Sequence, residues 1–182
     1  MQTKHCKRCD RILPVSMFSR YQKSKDGFNF YCKDCCDEYR KKYIQTPEGI
    51  WNSIKGRQKY YNKHNLPPAK PVIIKKKEFI EWYNNEPKIC AYCDIPEDQF
   101  ILLKRKYGSR TLRLTVDCKN NDVGYAKGNI VLACERCNFI KSNLFDFEIM
   151  REIGQKYIKP LWQKLIIGKF KSTIYLTHTK EG

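Results

Sequence analysis

Two kinds of residue in this chain carry chemistry that ordinary packing does not require. They are paired cysteines, and an aspartate and an asparagine set close to them in sequence. The cysteines form four C-x-x-C pairs, Cys6/Cys9, Cys32/Cys35, Cys90/Cys93 and Cys134/Cys137, with Cys36 and Cys118 left over. A C-x-x-C turn presents two sulfurs on one side, and two such turns complete a tetrahedral zinc site. Sequence order joins the first pair to the second and the third to the fourth, although spacing alone also permits crossed pairing. Redox dithiols are the competing reading, and nothing around the pairs resembles a thioredoxin-type βαβ setting. Asp117 closes the stretch "TLRLTVD", and Asn138 directly follows the fourth pair in "CERCNFIKSN". Brought together, their oxygens would form a two-ligand seat for a hard cation. Its other positions would stay open to water and phosphate, which suits Mg²⁺. Such an ion stabilises the leaving oxygen of a cleaved phosphodiester. The plainer alternatives are that Asn138 caps a helix and that Asp117 accepts backbone N–H bonds in a loop.

The elements that must position these groups can be read around them. Between the first two pairs, Asp26-Gly27 is a turn signal flanked by aromatic, strand-like residues, as in a small zinc ribbon. Thr46-Pro47 opens a helix, with Thr46 at the N-cap and Pro47 at its first position. Ile50, Ile54, Gln58 and Tyr61 continue it at near-helical spacing, and the prolines of "NLPPAKP" end it. "KKKEFIEWYNN" is a second helix with Phe79, Trp82 and Tyr83 on its apolar side. Alternation of Leu112, Leu114 and Val116 with Arg113, Thr115 and Asp117 predicts a strand. A polar loop over 118–128 and a second strand at "NIVLA" follow, and the chain turns helical at the fourth cysteine pair. Phe145, Ile149, Ile153 and Tyr157 step by four, the spacing of a buried helical stripe that Pro160 interrupts. The tail from Leu165, "LIIGKFKSTIYLTHTKEG", reads as a strand pair or an interface segment.

The run "CAYC … LTVDCKNNDVGYAKGNIVLACERCNFIKSN" resembles the HNH, or ββα-metal, endonucleases. Within that family it is most similar to the PacI-type restriction enzymes. "CKRCDRILPVSMFS", "CKDC", "FIEWY" and "CAYCDIPEDQF" extend the resemblance over roughly residues 4–150. The resemblance implies a homodimer that cuts double-stranded DNA with one Mg²⁺ and holds two structural Zn²⁺ per chain. One zinc would be held by Cys6, Cys9, Cys32 and Cys35, the other by Cys90, Cys93, Cys134 and Cys137. Asp117 and Asn138 would hold the catalytic Mg²⁺, and Asn129 would brace the loop. Tyr125 would orient or deprotonate the attacking water. His64 lies near the place of a family active-site histidine, and a solvated helix-end histidine is the competing reading. Cys118 departs from the pattern, since that position ordinarily carries histidine or arginine. A cysteine neither titrates near neutral pH nor clamps a phosphate, and its thiolate would repel one. Reduced cleavage is expected from it, unless Tyr125, His64 or Lys119 compensates.

The expected fold class is α+β, built of small zinc-stapled modules with peripheral helices. An N-terminal zinc ribbon spans 1–45, a basic helical connector 46–88, a ββα-metal (HNH) nuclease core 89–160 and a C-terminal extension 161–182. Composition agrees with that reading. In a chain of 182 residues, 36 Lys and Arg against 19 Asp and Glu give a formal charge of +17. Eight thiolates binding two divalent ions lower this by about four, to about +13. A field of that sign points to a polyanion. Arg8, Arg11, Arg20, Lys55, Arg57 and Lys141 are candidate DNA contacts. The N-terminus carries no apolar signal segment, and no apolar run approaches a membrane span, so a cytoplasmic, thiol-reducing setting without a membrane partner is expected. Two other functions compete with a restriction enzyme. One is a zinc-stapled DNA-binding protein with an inactive nuclease fold, the other a phage-type homing or junction-resolving nuclease. An RNA-binding ribbon is weaker, because the known RNA motifs are missing.

Overall fold

Cysteine pairs mark where this chain folds into compact units. The structure is a computed structural model that describes residues 2–66, 70–107 and 112–167. It is α+β, with two-stranded sheets only among the described residues, and divides into two compact units, Met1–Ile50 and Trp51–Gly182.

In the first unit, β1 (Thr3–His5) pairs antiparallel with β2 (Ile12–Pro14), and β3 (Phe18–Arg20) with β4 (Phe28–Cys32). The β3–β4 turn uses Gly27 at φ 74°, a left-handed conformation that glycine adopts without a Cβ clash. Asp26 Oδ1 accepts from the Phe28 N–H inside that turn. The core is small: Cys6, Phe18, Cys32 and Cys35 are buried, with Leu13, Met17 and Phe28 packed against them. So few apolar side chains would not hold a hairpin pair without a staple. Helix α1 (Lys33–Tyr43) leaves directly from the second cysteine pair. Helix α2 (Pro47–Lys63) then opens as expected, its Gly49 N–H donating to Thr46 Oγ1 at 3.1 Å. The boundary between the units falls inside α2.

The second unit carries α3 (Lys76–Asn85), whose Phe79 ring meets Trp82 and Tyr83 on the expected side. It also holds a helix that the sequence patterns did not signal, α4 (Glu97–Tyr107). Glu97 and Asp98 sit in its first turn, where carboxylates favour a helix start. Its apolar run is short, and Phe100 is buried by the ring of Trp162, a tertiary partner far along the chain. Strand β5 (Thr115–Cys118) pairs antiparallel with β6 (Ile130–Ala133), Asp117 standing opposite Val131, and α5 (Glu135–Lys141) follows. Then come α6 (Phe147–Ile153), a π turn at Gly154–Ile158 and α7 (Lys159–Ile166).

Two expectations are corrected here. Pro160 does not interrupt the helical path. It lies at the start of α7, just past the π turn, where the hydrogen-bond pattern has already changed and a missing N–H costs least. The buried stripe is also shifted by one residue. Met150, Gly154, Ile158 and Trp162 face inward, whereas Ile149 and Tyr157 are exposed. The inward position at 154 is a glycine because the helix there rides on the backbone of Tyr92. A Cβ at Gly154 would lie 2.4 Å from the Tyr92 carbonyl oxygen, and Gln155 Nε2 donates to that same oxygen at 2.8 Å. Gly154→Ala is therefore expected to destabilise the second unit by about 1–3 kcal/mol. Thermal unfolding of the variant reads this directly, and an unchanged midpoint would contradict the close approach. Residues 168–182, most of the tail expected as a strand pair or interface segment, lie outside the described residues.

Candidate active site

The four sulfurs of Cys90, Cys93, Cys134 and Cys137 lie within 4.8 Å of one another, as do those of Cys6, Cys9, Cys32 and Cys35. Across the pairs, Cys93 and Cys134 stand 3.8 Å apart and Cys6 and Cys35 3.9 Å apart. A tetrahedron with Zn–S bonds of about 2.3 Å has edges of about 3.8 Å. Both clusters thus fit zinc, and the pairing follows sequence order rather than crossing between modules. The second cluster joins the turn before α4 to the start of α5, and so holds β5, β6 and α5 together.

On that frame, Asp117 ends as a buried carboxylate, 2 % exposed. Its Oδ1 accepts the Cys118 N–H at 2.8 Å and lies 3.4 Å from Lys70 Nζ. Its Oδ2 accepts the Tyr92 hydroxyl at 2.9 Å and lies 3.7 Å from Lys141 Nζ. Tyr92 sits between Cys90 and Cys93, wholly buried. Burial and the facing Asp117 push its phenol far above the usual range, so it stays protonated and donates. Lys141 is 0 % exposed and also donates to Asn121 Oδ1 at 3.3 Å. It was expected among the DNA contacts, but no phosphate can reach it there. Its place in the molecule is that of an internal counter-charge.

Asn138 shares a face of α5 with Lys141, three residues on. Its Nδ2 donates to Thr115 Oγ1 at 2.9 Å. Thr115 and Asp117 are alternate residues of β5 and share a strand face. Asn138 does not hydrogen-bond Asp117 itself. The Thr115 bond takes the amide nitrogen, and among the described residues Asn138 Oδ1 accepts no hydrogen bond. An amide oxygen and a carboxylate oxygen on facing elements are the donor set of a hard cation that keeps most of its waters. The residues therefore fit Mg²⁺ on their own chemistry.

The β5–β6 loop is braced by Asn129. Its Nδ2 donates to the Asn120 and Gly124 carbonyls at 2.7 and 2.6 Å, and its Oδ1 accepts the Asn120 N–H at 3.0 Å. Gly124, at φ 71°, lets the loop meet the chain at Pro71, and a Cβ there would lie 2.3 Å from the Pro71 oxygen. Tyr125 donates its N–H to the same oxygen at 2.7 Å and accepts from the N–H groups of Ile73 and Ile74. Its buried phenol is pushed up to about 12, chiefly by desolvation and then by Cys118. Cys118 is also fully buried, and desolvation holds its thiol up to about 11. Burial thus works against a thiolate at this position. His64 stands exposed at the end of α2 with its ring 4.4 Å from Tyr60, apart from the group bonded around Asp117. Beside that group opens a cleft of about 650 Å³, whose polar wall includes Lys70, Lys119, Asn121, Asp122, Asn143 and Asp146.

Lys70 and Tyr92 were missed in the sequence. A lysine in a proline-rich link and a tyrosine inside a C-x-x-C turn each look ordinary until the fold places them on Asp117. Other basic candidates are partly committed to structure. Arg8 donates to the Cys35 carbonyl and lies over the rings of Tyr31 and Tyr39. Arg11 donates to Cys9 Sγ at 3.3 Å, and Arg20 lies over Phe28.

No protein-family model and no curated protein sequence matches the chain. Among solved structures, the chain is similar to the rare-cutting HNH restriction endonuclease PacI. Identity is 27%, the TM-score is 0.52, and the match covers 88% of this chain and 96% of that one. The resemblance read in the sequence is borne out at the level of the whole fold. No helix among the described residues is long and apolar enough to cross a membrane.

Proposed function

We propose that this chain is a Mg²⁺-dependent endonuclease that hydrolyses phosphodiester bonds in duplex DNA, acting as a homodimer on a short palindrome. The observation that carries this reading is Asp117 on β5, facing the Asn138 and Lys141 side of α5 and joined through Lys70 to a polar cleft. Similarity to an HNH restriction enzyme supports it. In this reading the ribbon (1–45) and the basic connector (46–88) hold the duplex backbone, and residues 89–160 cut it. Asp117 and the Asn138 amide oxygen hold the ion, which supplies charge stabilisation for the leaving oxygen when bound. Tyr125 remains a phenol near neutral pH, so it orients water by hydrogen bonding and does not deprotonate it. Asn129 keeps the loop closed around it, and His64 is an exposed candidate at the end of α2. Cys118 contributes a compact neutral wall.

The direct test is incubation of the zinc-loaded protein with plasmid DNA and Mg²⁺ or Mn²⁺, followed by sequencing of the fragment ends. Ends sharing one short palindrome are expected. A second reading has one observation in its favour, since Asp117 already faces two ammonium groups. Tight DNA binding without metal-dependent cutting would establish a non-enzymatic, zinc-stapled DNA-binding protein instead. Position 118 separates the readings further. Cys118→Arg brings a phosphate-binding cation to the end of β5, and about a tenfold or greater rise in cutting is expected from it. Plasmid cutting no faster than wild type, by a variant that melts like wild type, would show that the thiol is not what limits the rate.

A further inference from the structure

Three lysines surround the carboxylate and the cleft, and they are not equivalent. Lys141 is sealed inside by Asp117 and Asn121. Lys119 lies over the Phe147 ring, 5.5 Å from its centre, on the cleft wall. Lys70 alone among them both borders the cleft and reaches Asp117, its Nζ 3.4 Å from Oδ1 with the side chain 27% exposed. Its backbone is fixed by the next residue, Pro71, whose oxygen accepts the Tyr125 N–H against Gly124. Its four-carbon stem has no such tether, so the ammonium can swing from a fixed root.

We infer that Lys70 is the phosphate-contacting cation of this site, holding Asp117 Oδ1 in the metal-free protein and turning to a phosphodiester oxygen in the cleft once a divalent ion takes that oxygen. The inference rests on the proposed nuclease reading and adds to it a residue that nothing in the motif pattern marks. One ammonium thereby serves two anions in turn. Before metal entry it balances a carboxylate that would otherwise keep only the buried Lys141 as counter-charge. After entry it supplies a fixed positive charge, which a cysteine at position 118 cannot supply.

The signature is a pair of changes in opposite directions, measured on the zinc-loaded, full-length protein. Lys70→Met removes a competitor for Asp117, so Mn²⁺ titrated without DNA and followed by electron paramagnetic resonance should bind about three- to fivefold tighter. The same variant should cut DNA about a hundredfold more slowly at saturating Mn²⁺. Lys70→Arg should retain most of the cutting, because the cation is kept. A merely structural lysine would weaken metal binding and cutting together. Unchanged or weaker Mn²⁺ binding in Lys70→Met overturns the inference, and so does unchanged cutting. Wild-type cutting with an unaffected Lys70→Met variant removes this inference alone. A wild type that binds DNA and never cuts removes the proposed nuclease function as well.

Discussion

Asp117→Asn is expected to lower metal-dependent DNA cutting by about a thousandfold and to destabilise the second unit at the same time. The first effect follows from loss of the charged ligand, since a bound divalent ion supplies several kcal/mol of charge stabilisation. The second follows from the surroundings of the carboxylate. Asparagine is similar in shape, but Tyr92 O–H, Cys118 N–H, Lys70 and Lys141 all present hydrogens toward this side chain. An amide nitrogen would face a donor, and Lys141, wholly buried, would lose its counter-charge. Breaking a buried ion pair by removing one partner costs about 3–5 kcal/mol. Adding Lys141→Met to Asp117→Asn removes the stranded charge, so the double variant should regain stability while its cutting stays lost. Thermal melts and plasmid assays on the three proteins separate the effects. Near-wild-type cutting by Asp117→Asn would show that this carboxylate holds no catalytic ion. A double variant no more stable than the single one would refute the counter-charge role of Lys141.

Stripping zinc should have a larger structural effect still. Cys90, Cys93, Cys134 and Cys137 are all buried, with sulfurs within 4.8 Å of one another. The metal-binding free energy of such a site is folding free energy, about 10 kcal/mol or more near neutral pH. That exceeds what a small module usually has in reserve. Chelation should therefore release two zinc ions per chain, counted by mass spectrometry of the metal, and collapse the helical circular dichroism. Cys137→Ser should unfold the second unit and leave one zinc in the ribbon. Retention of two tightly held zincs by Cys137→Ser would show that this thiol is not a ligand.

Parts of this architecture were legible in the sequence because they depend on short-range chemistry. C-x-x-C turns, the Thr46-Pro47 helix start, the strand–loop–strand order of β5 and β6 and the helix begun at the fourth cysteine pair each follow local rules. Other parts depend on partners distant in the chain. Lys70 and Asp117 are separated by 47 residues, and Tyr92 and Asp117 by 25. Alternation placed Asp117 on the polar side of β5, yet that side is covered by α5 and the Tyr92 ring, so the polar residue is interior. Helix α4 was missed because its apolar run is too short to show a period. The last helical stripe was misplaced by one residue because its pivotal inward position is Gly154, which no hydrophobic count registers. His64 was singled out by its nearness to the place of a family histidine, and in the structure it stands exposed at the end of α2 beside Tyr60.

On the proposed reading, the position of Tyr92 between Cys90 and Cys93 puts the two kinds of ion in mechanical series. The cage that holds the structural ion also sets the height of the hydroxyl bracing the other ion's carboxylate. A wider ion in the thiolate cage, cadmium for zinc, would spread the knuckle by a few tenths of an ångström and detune Asp117 from one side. On the proposed reading, heavy-metal exchange would blunt the nuclease while its helices stay folded, so the cage acts as a gauge block for the neighbouring seat as well as a staple.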